Sequence, residues 1–360
     1  MIRRNTIPFG PQHPVLPEPI QLRLVMENEK IVEALPAVGY IHRGLEKIAE
    51  KKDYVQDVYL AERICGICSF IHSQNYCQGI EELMKVQVPD RAKYLRVIWA
   101  ETHRIHSHLL ILGLLADAFG FENLFMRLWK VREQILDIME ATAGARVILG
   151  VCAIGGVKRD IPPALGEDVL RRLDDVERQL PELCDSLLKD YSVKQRLIGV
   201  GVLPKDKAHE LGAVGPVARA SGLKMDLRET GYAAYGDLDF KMIVEESGDC
   251  YARTVVRVKE LYTSLDLVRK AIKRMPQGPI SVPVRGAPPA DEVLARIEQP
   301  RGELNFYIRG NGTRNLERFR VRTPTFANLP ALLHQLTGCE LADVPVIAIC
   351  IDPCISCTER

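Results

Sequence analysis

Two C-x-x-C pairs stand almost as far apart as this chain allows. Cys65 and Cys68 lie in RICGIC, within the first fifth of 360 residues, and Cys354 and Cys357 lie in the terminal DPCISCTER. Each pair lets two sulfurs grip one metal ion from a short loop, and Gly66 lets the first loop turn tightly. Two pairs make one four-thiolate site only if the fold returns the end of the chain to its beginning. Closing so long a loop costs several kcal/mol of chain entropy. A local zinc ribbon, with its pairs about 15–20 residues apart, would not be built this way. A site ordered by the finished fold would be.

Thiolates are soft anionic ligands. Four of them suit structural zinc, an iron–sulfur cluster or a catalytic thiophilic metal, and spacing alone leaves all three open. The other six cysteines follow no ligand spacing. Cys152, Cys184, Cys250 and Cys350 sit among apolar neighbours and read as small buried hydrophobes. Ten cysteines in this length is far from a disulfide scaffold.

With 48 basic and 47 acidic residues, the chain lacks the charge imbalance of a nucleic-acid binder. Its apolar content of 47% is enough for a large core. No apolar run is long enough for a membrane span; the best, from Leu109 to Phe121, is short and carries Asp117. The N-terminus lacks an apolar signal core. These features predict a soluble chain.

Alternation in IQLRLV, the polar ENEK turn and Ile31–Leu35 predict a β-hairpin. The proline-spaced segment before it offers His13 and Glu18. Helical spacing follows Gly44, recurs over 55–60, and is strongest over 91–119, where Glu101, His103, Arg104, His106 and His108 are embedded. Further helices are expected at 122–146, 166–190, 239–274 and 329–336. Segments 198–238 and 279–300 read as irregular. A second hairpin is expected around Asn311-Gly312, with strands 303–309 and 316–321. A buried apolar run, Val344–Ile351, leads to the last cysteines.

Together, RxCGxC near the start and DPCxxC at the end resemble the large, catalytic subunit of [NiFe] hydrogenases. GPQHP at 10–14, RGLE at 43–46, ExxRIxxHL at 101–109 and PRGEL at 300–304 narrow the resemblance. They point to the energy-converting (group 4) membrane-bound branch, of the Ech or CO-induced hydrogenase type. That branch is related to the complex I 49 kDa subunit, which lacks the paired cysteines. The resemblance implies an α+β, mainly helical fold, with a central helical bundle and β-hairpin layers. The expected single unit spans 1–360: an N-terminal β/loop region with the first helices (1–64), a helical core (65–275), and a C-terminal β-hairpin and metal-binding tail (276–360).

By resemblance, Cys65 and Cys354 bind nickel terminally. Cys68 and Cys357 bridge it to an iron carrying CO and cyanide. Arg301 sits beside the iron, with Pro300 and Asp352 as its neighbours. Arg63 is a further candidate cation. Cys354 is the first proton acceptor in heterolytic H2 cleavage, with Arg301 as rival, and Glu18 leads the proton out. Glu46 matches a glutamate that binds magnesium in many relatives. Here Arg360 replaces the histidine tied to that ion, so pairing of Glu46 with Arg360 or Arg43 is the alternative.

The implied partners are a small [4Fe–4S] hydrogenase subunit, a ferredoxin-like subunit with ferredoxin, and integral membrane antiporter-like subunits that move ions. The chain would sit peripherally on the cytoplasmic side of the membrane. The competing functions are a non-hydrogenase, complex I-like coupling or quinone-binding subunit, and a zinc-stabilised scaffold.

Overall fold

A computed structural model describes residues 4–360. The fold is α+β and mainly helical. An N-terminal antiparallel sheet is formed by β1 (Arg4–Phe9), β2 (Gln21–Glu27) and β3 (Lys30–Ala37), in that order. Leu22, Leu24 and Met26 alternate inward from β2, and Asn28 takes the left-handed conformation that closes the β2–β3 turn. Two short helices, α1 (Leu45–Ala49) and α2 (Asp57–Glu62), carry the chain to the first cysteine loop.

The core is a bundle of α3 (Ser69–Leu83), α4 (Asp90–Ala118), α5 (Glu122–Ala143), α6 (Pro163–Lys189) and α10 (Cys250–Arg274). Helix α4 is the central member. It packs on α5 and α10, and it is buried around nearly its whole circumference from Leu95 to Leu112. The one-sided apolar face expected of it is too narrow a description. Its polar residues are buried as well, because each faces a specific partner rather than water.

Between α5 and α10 lie a two-residue β-ladder (β4, Cys152–Ala153; β5, Gly156–Val157) and short helices. These are α7 (Tyr191–Leu197), α8 (Lys205–Glu210) and α9 (Gly215–Ala220); the last two fall within 198–238, which is less irregular than its glycines suggested. Helix α10 begins at Cys250, not at 239. The Asp249 side chain accepts the Ala252 N–H at 2.8 Å and sets the start.

The C-terminal sheet has the order β6 (Glu292–Gln299), β7 (Gly302–Arg309), β8 (Arg318–Arg322). The β7–β8 hairpin surrounds Asn311-Gly312 as expected, through a longer loop. The segment 279–300, expected to be loop, ends in β6. It pairs with β7 up to Gln299↔Gly302, leaving Pro300 and Arg301 as a two-residue tip. Gly302 has φ +128, and a Cβ there would lie 2.7 Å from the Gly215 nitrogen. This contact seats the tip against α9. Helices α11 (Pro324–Leu336), α12 (Val344–Cys350) and α13 (Ile355–Thr358) complete the chain.

Asp57, in the first turn of α2, is 1% exposed, and neither carboxylate oxygen has a hydrogen-bond partner. Burial, then the nearby Asp53, pushes its pKa up to about 8. In the unfolded chain the group ionises near pH 4. Between those values the folded state binds the extra proton, so this group makes stability fall as pH rises across that window. Asp57→Asn is expected to match wild type below about pH 4 and to gain on it progressively, by roughly 5 kcal/mol at about pH 8. Denaturant titrations across pH test this; an equal difference at every pH would contradict it.

Candidate metal centre

The two cysteine loops meet. Cys65 Sγ and Cys354 Sγ are 3.3 Å apart, and Cys68 Sγ and Cys357 Sγ are 3.7 Å apart. The sulfurs of Cys65, Cys68 and Cys357 lie within 4.8 Å of one another. All four side chains are buried. The spacings far exceed a disulfide bond of about 2.05 Å. They suit four sulfurs around a shared metal site.

The first loop is held from inside the bundle. Both His103 Nδ1 (3.1 Å) and His106 Nε2 (2.7 Å) hydrogen-bond to the Ile67 carbonyl, midway between Cys65 and Cys68. Burial holds both imidazoles below their ordinary pKa, that of His103 at about 4, so each is neutral and donates through its bonded nitrogen.

The tail is held from several directions. Thr325 Oγ1 accepts the Cys354 N–H at 3.1 Å, and Thr323 Oγ1 donates to the Cys357 carbonyl at 3.1 Å. Glu359 accepts the Ile41 N–H at 2.6 Å, and its carbonyl meets His42 Nδ1 at 2.7 Å. Arg43 links the two loops. It donates to the carbonyls of Arg63 (2.7 Å) and Ile64 (2.8 Å) in the first and of Ser356 (3.0 Å) in the second.

Without a cation the four thiols cannot ionise together. Hydrogen bonds from Cys354, Cys357 and Cys68, with help from Arg301, hold Cys65 well below the usual thiol range. Burial and the neighbouring sulfurs push Cys68 and Cys357 well above it. At Cys354 a hydrogen bond from Cys357 lowers the pKa, but the neighbouring Cys65 thiolate and burial outweigh it. The donor set therefore favours one thiolate alone and fits a thiophilic cation that would let all four ionise.

Arg301, at the β6–β7 tip, is buried. Its Nε donates to the Asp352 carbonyl at 2.9 Å, its Nη2 lies 2.7 Å from Asp352 Oδ1, and its Nη1 is 3.4 Å from Ser107 Oγ. The charges of Cys354, Cys68 and Cys65 act on it, as they do on no solvent-screened group, so the guanidinium lies near the sulfurs. Asp352 takes a left-handed conformation (φ 59) as α12 ends and the chain turns into the cysteine loop. Pro300 fixes the approach to Arg301.

Glu18 reaches the other side of the tail. It accepts the N–H groups of Ile355 and Ser356, the latter at 2.9 Å, and the Ser356 hydroxyl. It is thus bonded to the residue next to Cys354. Glu46 accepts from Arg360 Nε (2.9 Å), Arg320 Nη1 (2.9 Å) and the Val321 N–H (2.9 Å). With two guanidiniums on one carboxylate, this donor set does not fit a magnesium ion; Arg360 supplies the positive charge instead. Arg63 turns away, half exposed, and donates to the Tyr59 carbonyl at 3.0 Å. His13 stacks on Phe9 with ring centroids 4.1 Å apart, and His108 points to Glu260.

Sequence reading passed over His72, whose Nε2 is 3.4 Å from Cys357 Sγ. Burial lowers its pKa to about 4, so it is a neutral imidazole against the sulfur. Its signal was its place one helical turn after Cys68. Ser107 and the linking role of Arg43 also had no separate signal.

Fold and site together define a mainly helical subunit built around a buried cluster of four cysteines. Residues 119–287 and 284–360 match the 49 kDa subunit of respiratory-chain NADH dehydrogenase, and residues 43–116 match nickel-dependent hydrogenase. The chain is 41% identical to the carbon monoxide-induced hydrogenase of Rhodospirillum rubrum, over 99% of both chains. It is 41% identical to the alpha subunit of the membrane-bound hydrogenase of Pyrococcus furiosus, over 98% of this chain and 87% of that one. It is also 36% identical to an NADH-quinone oxidoreductase subunit of Dehalococcoides mccartyi, over 96% and 95%. A solved structure of the membrane-bound sulfane sulfur reductase, an archaeal respiratory membrane complex, superposes with a TM-score of 0.94 at 30% identity, over 99% of this chain and 98% of that one. The chain belongs to the family of group 4 membrane-bound [NiFe] hydrogenase large subunits, related to the complex I 49 kDa subunit. Among the described residues no helix is long and apolar enough to cross a membrane.

Arg43→Ala removes three hydrogen bonds that join the ligand loops. It is expected to speed metal loss to a chelator about tenfold, with Arg43→Lys intermediate. Metal-release kinetics check this; wild-type rates in both variants would contradict it.

Proposed function

We propose that this chain is the catalytic subunit of an energy-converting [NiFe] hydrogenase, carrying out reversible heterolytic H2 cleavage and proton reduction. The observation that supports this most strongly is the meeting of four buried sulfurs from opposite ends of the chain, with a guanidinium near them. Cys65 and Cys354 would hold nickel from the two ends of the chain. Cys68 and Cys357 would hold it together with an iron carrying CO and cyanide. When bound, this pair of metals would supply the redox chemistry for H2.

The chain's own residues then divide the rest of the task. Cys354 Sγ holds the first proton. Glu18 carries it outward, since its carboxylate is bonded to the backbone that follows Cys354. Arg301, held in place by Asp352, opposes the negative charge of the thiolates. His72 and the His103–His106 pair fix ligand positions without carrying charge.

Electrons leave through a small [4Fe–4S] subunit to a ferredoxin-like subunit and ferredoxin. Integral membrane antiporter-like subunits couple the reaction to ion translocation, with this chain docked peripherally on the cytoplasmic side. The similarity to an NADH-quinone oxidoreductase subunit favours a second reading, a coupling subunit without hydrogen chemistry. The converging sulfurs weigh against it.

The purified complex is expected to contain stoichiometric nickel, to show infrared bands of CO and cyanide, and to reduce dye with H2. Stoichiometric zinc without a redox signal would replace this reading with the scaffold one. Glu18→Gln is expected to slow proton–deuterium exchange by about 10²–10⁴-fold with metal content retained. Loss of metal instead would make Glu18 a purely structural tie.

A further inference from the structure

Beside the sulfur site lies a second buried assembly that its chemistry does not use. Arg219 donates to Glu260 Oε1 at 2.8 Å and to Glu298 Oε1 at 2.7 Å, and it lies 3.2 Å from Asp226. Arg228 grips Asp226 with two bonds, at 3.0 and 2.7 Å, and reaches Glu101 at 3.4 Å. Arg104 is 3.2 Å from Glu101 and donates to the Glu298 and Gln299 carbonyls. Arg257 lies between Glu260 and Asp352, whose charges both act on it; its Nε and Nη2 have no hydrogen-bond partner.

With Glu298 ionised, the four arginines (104, 219, 228 and 257) balance the four carboxylates (Glu101, Asp226, Glu260 and Glu298). Asp352 and Arg301 continue the line of charge to the sulfurs.

Two members of this assembly, Asp226 and Glu298, also meet the outside. A cleft of about 290 Å³ is lined by Asp226, Glu298, Lys224, Glu229, Arg296 and Glu303. The Glu298 Oε2 that completes the carboxyl has only a long contact, 3.3 Å, from the Leu227 N–H. Around the group, α9 presents Arg219, the segment before residue 227 presents Asp226, and α4 presents Arg104 to its carbonyl. The Tyr232 hydroxyl accepts its N–H at 3.2 Å.

We propose that Glu298 is a proton-loading site that answers to the charge of the thiolate centre. It takes a proton from the cleft when the centre gains an electron, and gives it back when that electron leaves. The inference rests on the redox reading of the centre.

Burial, then Asp226, raises the Glu298 pKa to about 7, against the lowering effect of Arg219. A modest change in nearby charge therefore decides its protonation at neutral pH. Screening between buried charges is weak, so an electron on the centre is felt along Asp352, Arg257 and Glu260. In the step itself, an O–H bond forms at Oε2 with a proton from water in the cleft. The electron comes from a reduced one-electron carrier or from H2, and nothing at Glu298 is oxidised. Glu298 is thus a positioning residue for charge, reached through other side chains.

The test uses the purified complex, oxidised and then reduced with dithionite, with infrared difference spectra taken from about pH 5 to about pH 9. A protonated-carboxyl band titrating near neutrality is expected. Its midpoint should rise on reduction, and the band should be absent in Glu298→Gln. Glu298→Asp draws the carboxyl away from Arg219 and should move the midpoint upward, which decides the matter should the glutamine variant fail to assemble. A band unchanged by either substitution overturns the proposal. A Glu298 band indifferent to the redox state overturns it while leaving the hydrogenase reading intact. A complex with no reducible metal overturns both.

Discussion

Everything in this structure depends on bringing the tail back to the first cysteine loop against two opposing terms. One is entropic: closing a loop of 289 positions costs about 5 kcal/mol on the logarithmic scale. The other is electrostatic, because four thiolates repel one another at sulfur contacts of 3.3 and 3.7 Å. Backbone ties meet the first term. Glu18, Arg43 and the start of α11 (Thr323 and Thr325) come from separate parts of the fold, and each binds peptide groups at or beside a cysteine rather than the sulfur. The second is met in part by Arg301, which counters one negative charge. The remaining charge is what a pair of divalent cations would neutralise.

Helix α4 makes the centre and the ion assembly neighbours. At about 100° per residue, positions 103, 106 and 107 fall on one face and 101, 104 and 108 on another. The first face holds the Ile67 carbonyl and meets Arg301 through Ser107. The second carries Glu101, Arg104 and His108 into the charged assembly. A single rigid element thereby fixes the distance between them. Its burial demands that every polar side chain have a partner, which explains why an interior helix carries so many.

Much of the centre was legible because its signals are local. C-x-x-C spacing and DPC are short strings, and the residues flanking them follow by chain adjacency. Alternation in β2 and the spacing of α4 and α5 were likewise local patterns. What escaped was set by contacts across the chain. Strand β6 was masked by the proline-rich stretch before it, and its role appears only in pairing with β7. His72 lies on a helix whose apolar pattern was unremarked, and its closeness to Cys357 depends on the tail's return. Arg43 looked like one more basic residue near Glu46. In the structure Glu46 is taken by Arg360 and Arg320, leaving Arg43 free to join the loops. The start of α10 was misplaced by eleven residues even though its capping aspartate was in plain view.

The relatives separate scaffold from site. The chain is similar along nearly its whole length to hydrogenase subunits and to a subunit of NADH-quinone oxidoreductase, and it superposes closely on a chain of the sulfane sulfur reductase. One architecture therefore serves several redox complexes, and the fold by itself selects none of them. On the function proposed for this chain, four sulfur atoms on two short loops make the selection, since they alone supply soft anionic ligands. The arginine–carboxylate assembly is different in kind. Its members come from α4, α9, α10, β6 and the turn at 226–230 that follows α9, parts of the scaffold rather than of the cysteine loops. Buried charge of that extent is costly unless balanced. A balanced assembly that shares a helix with the redox site gives the scaffold a means of registering the charge at that site, whichever chemistry its loops perform.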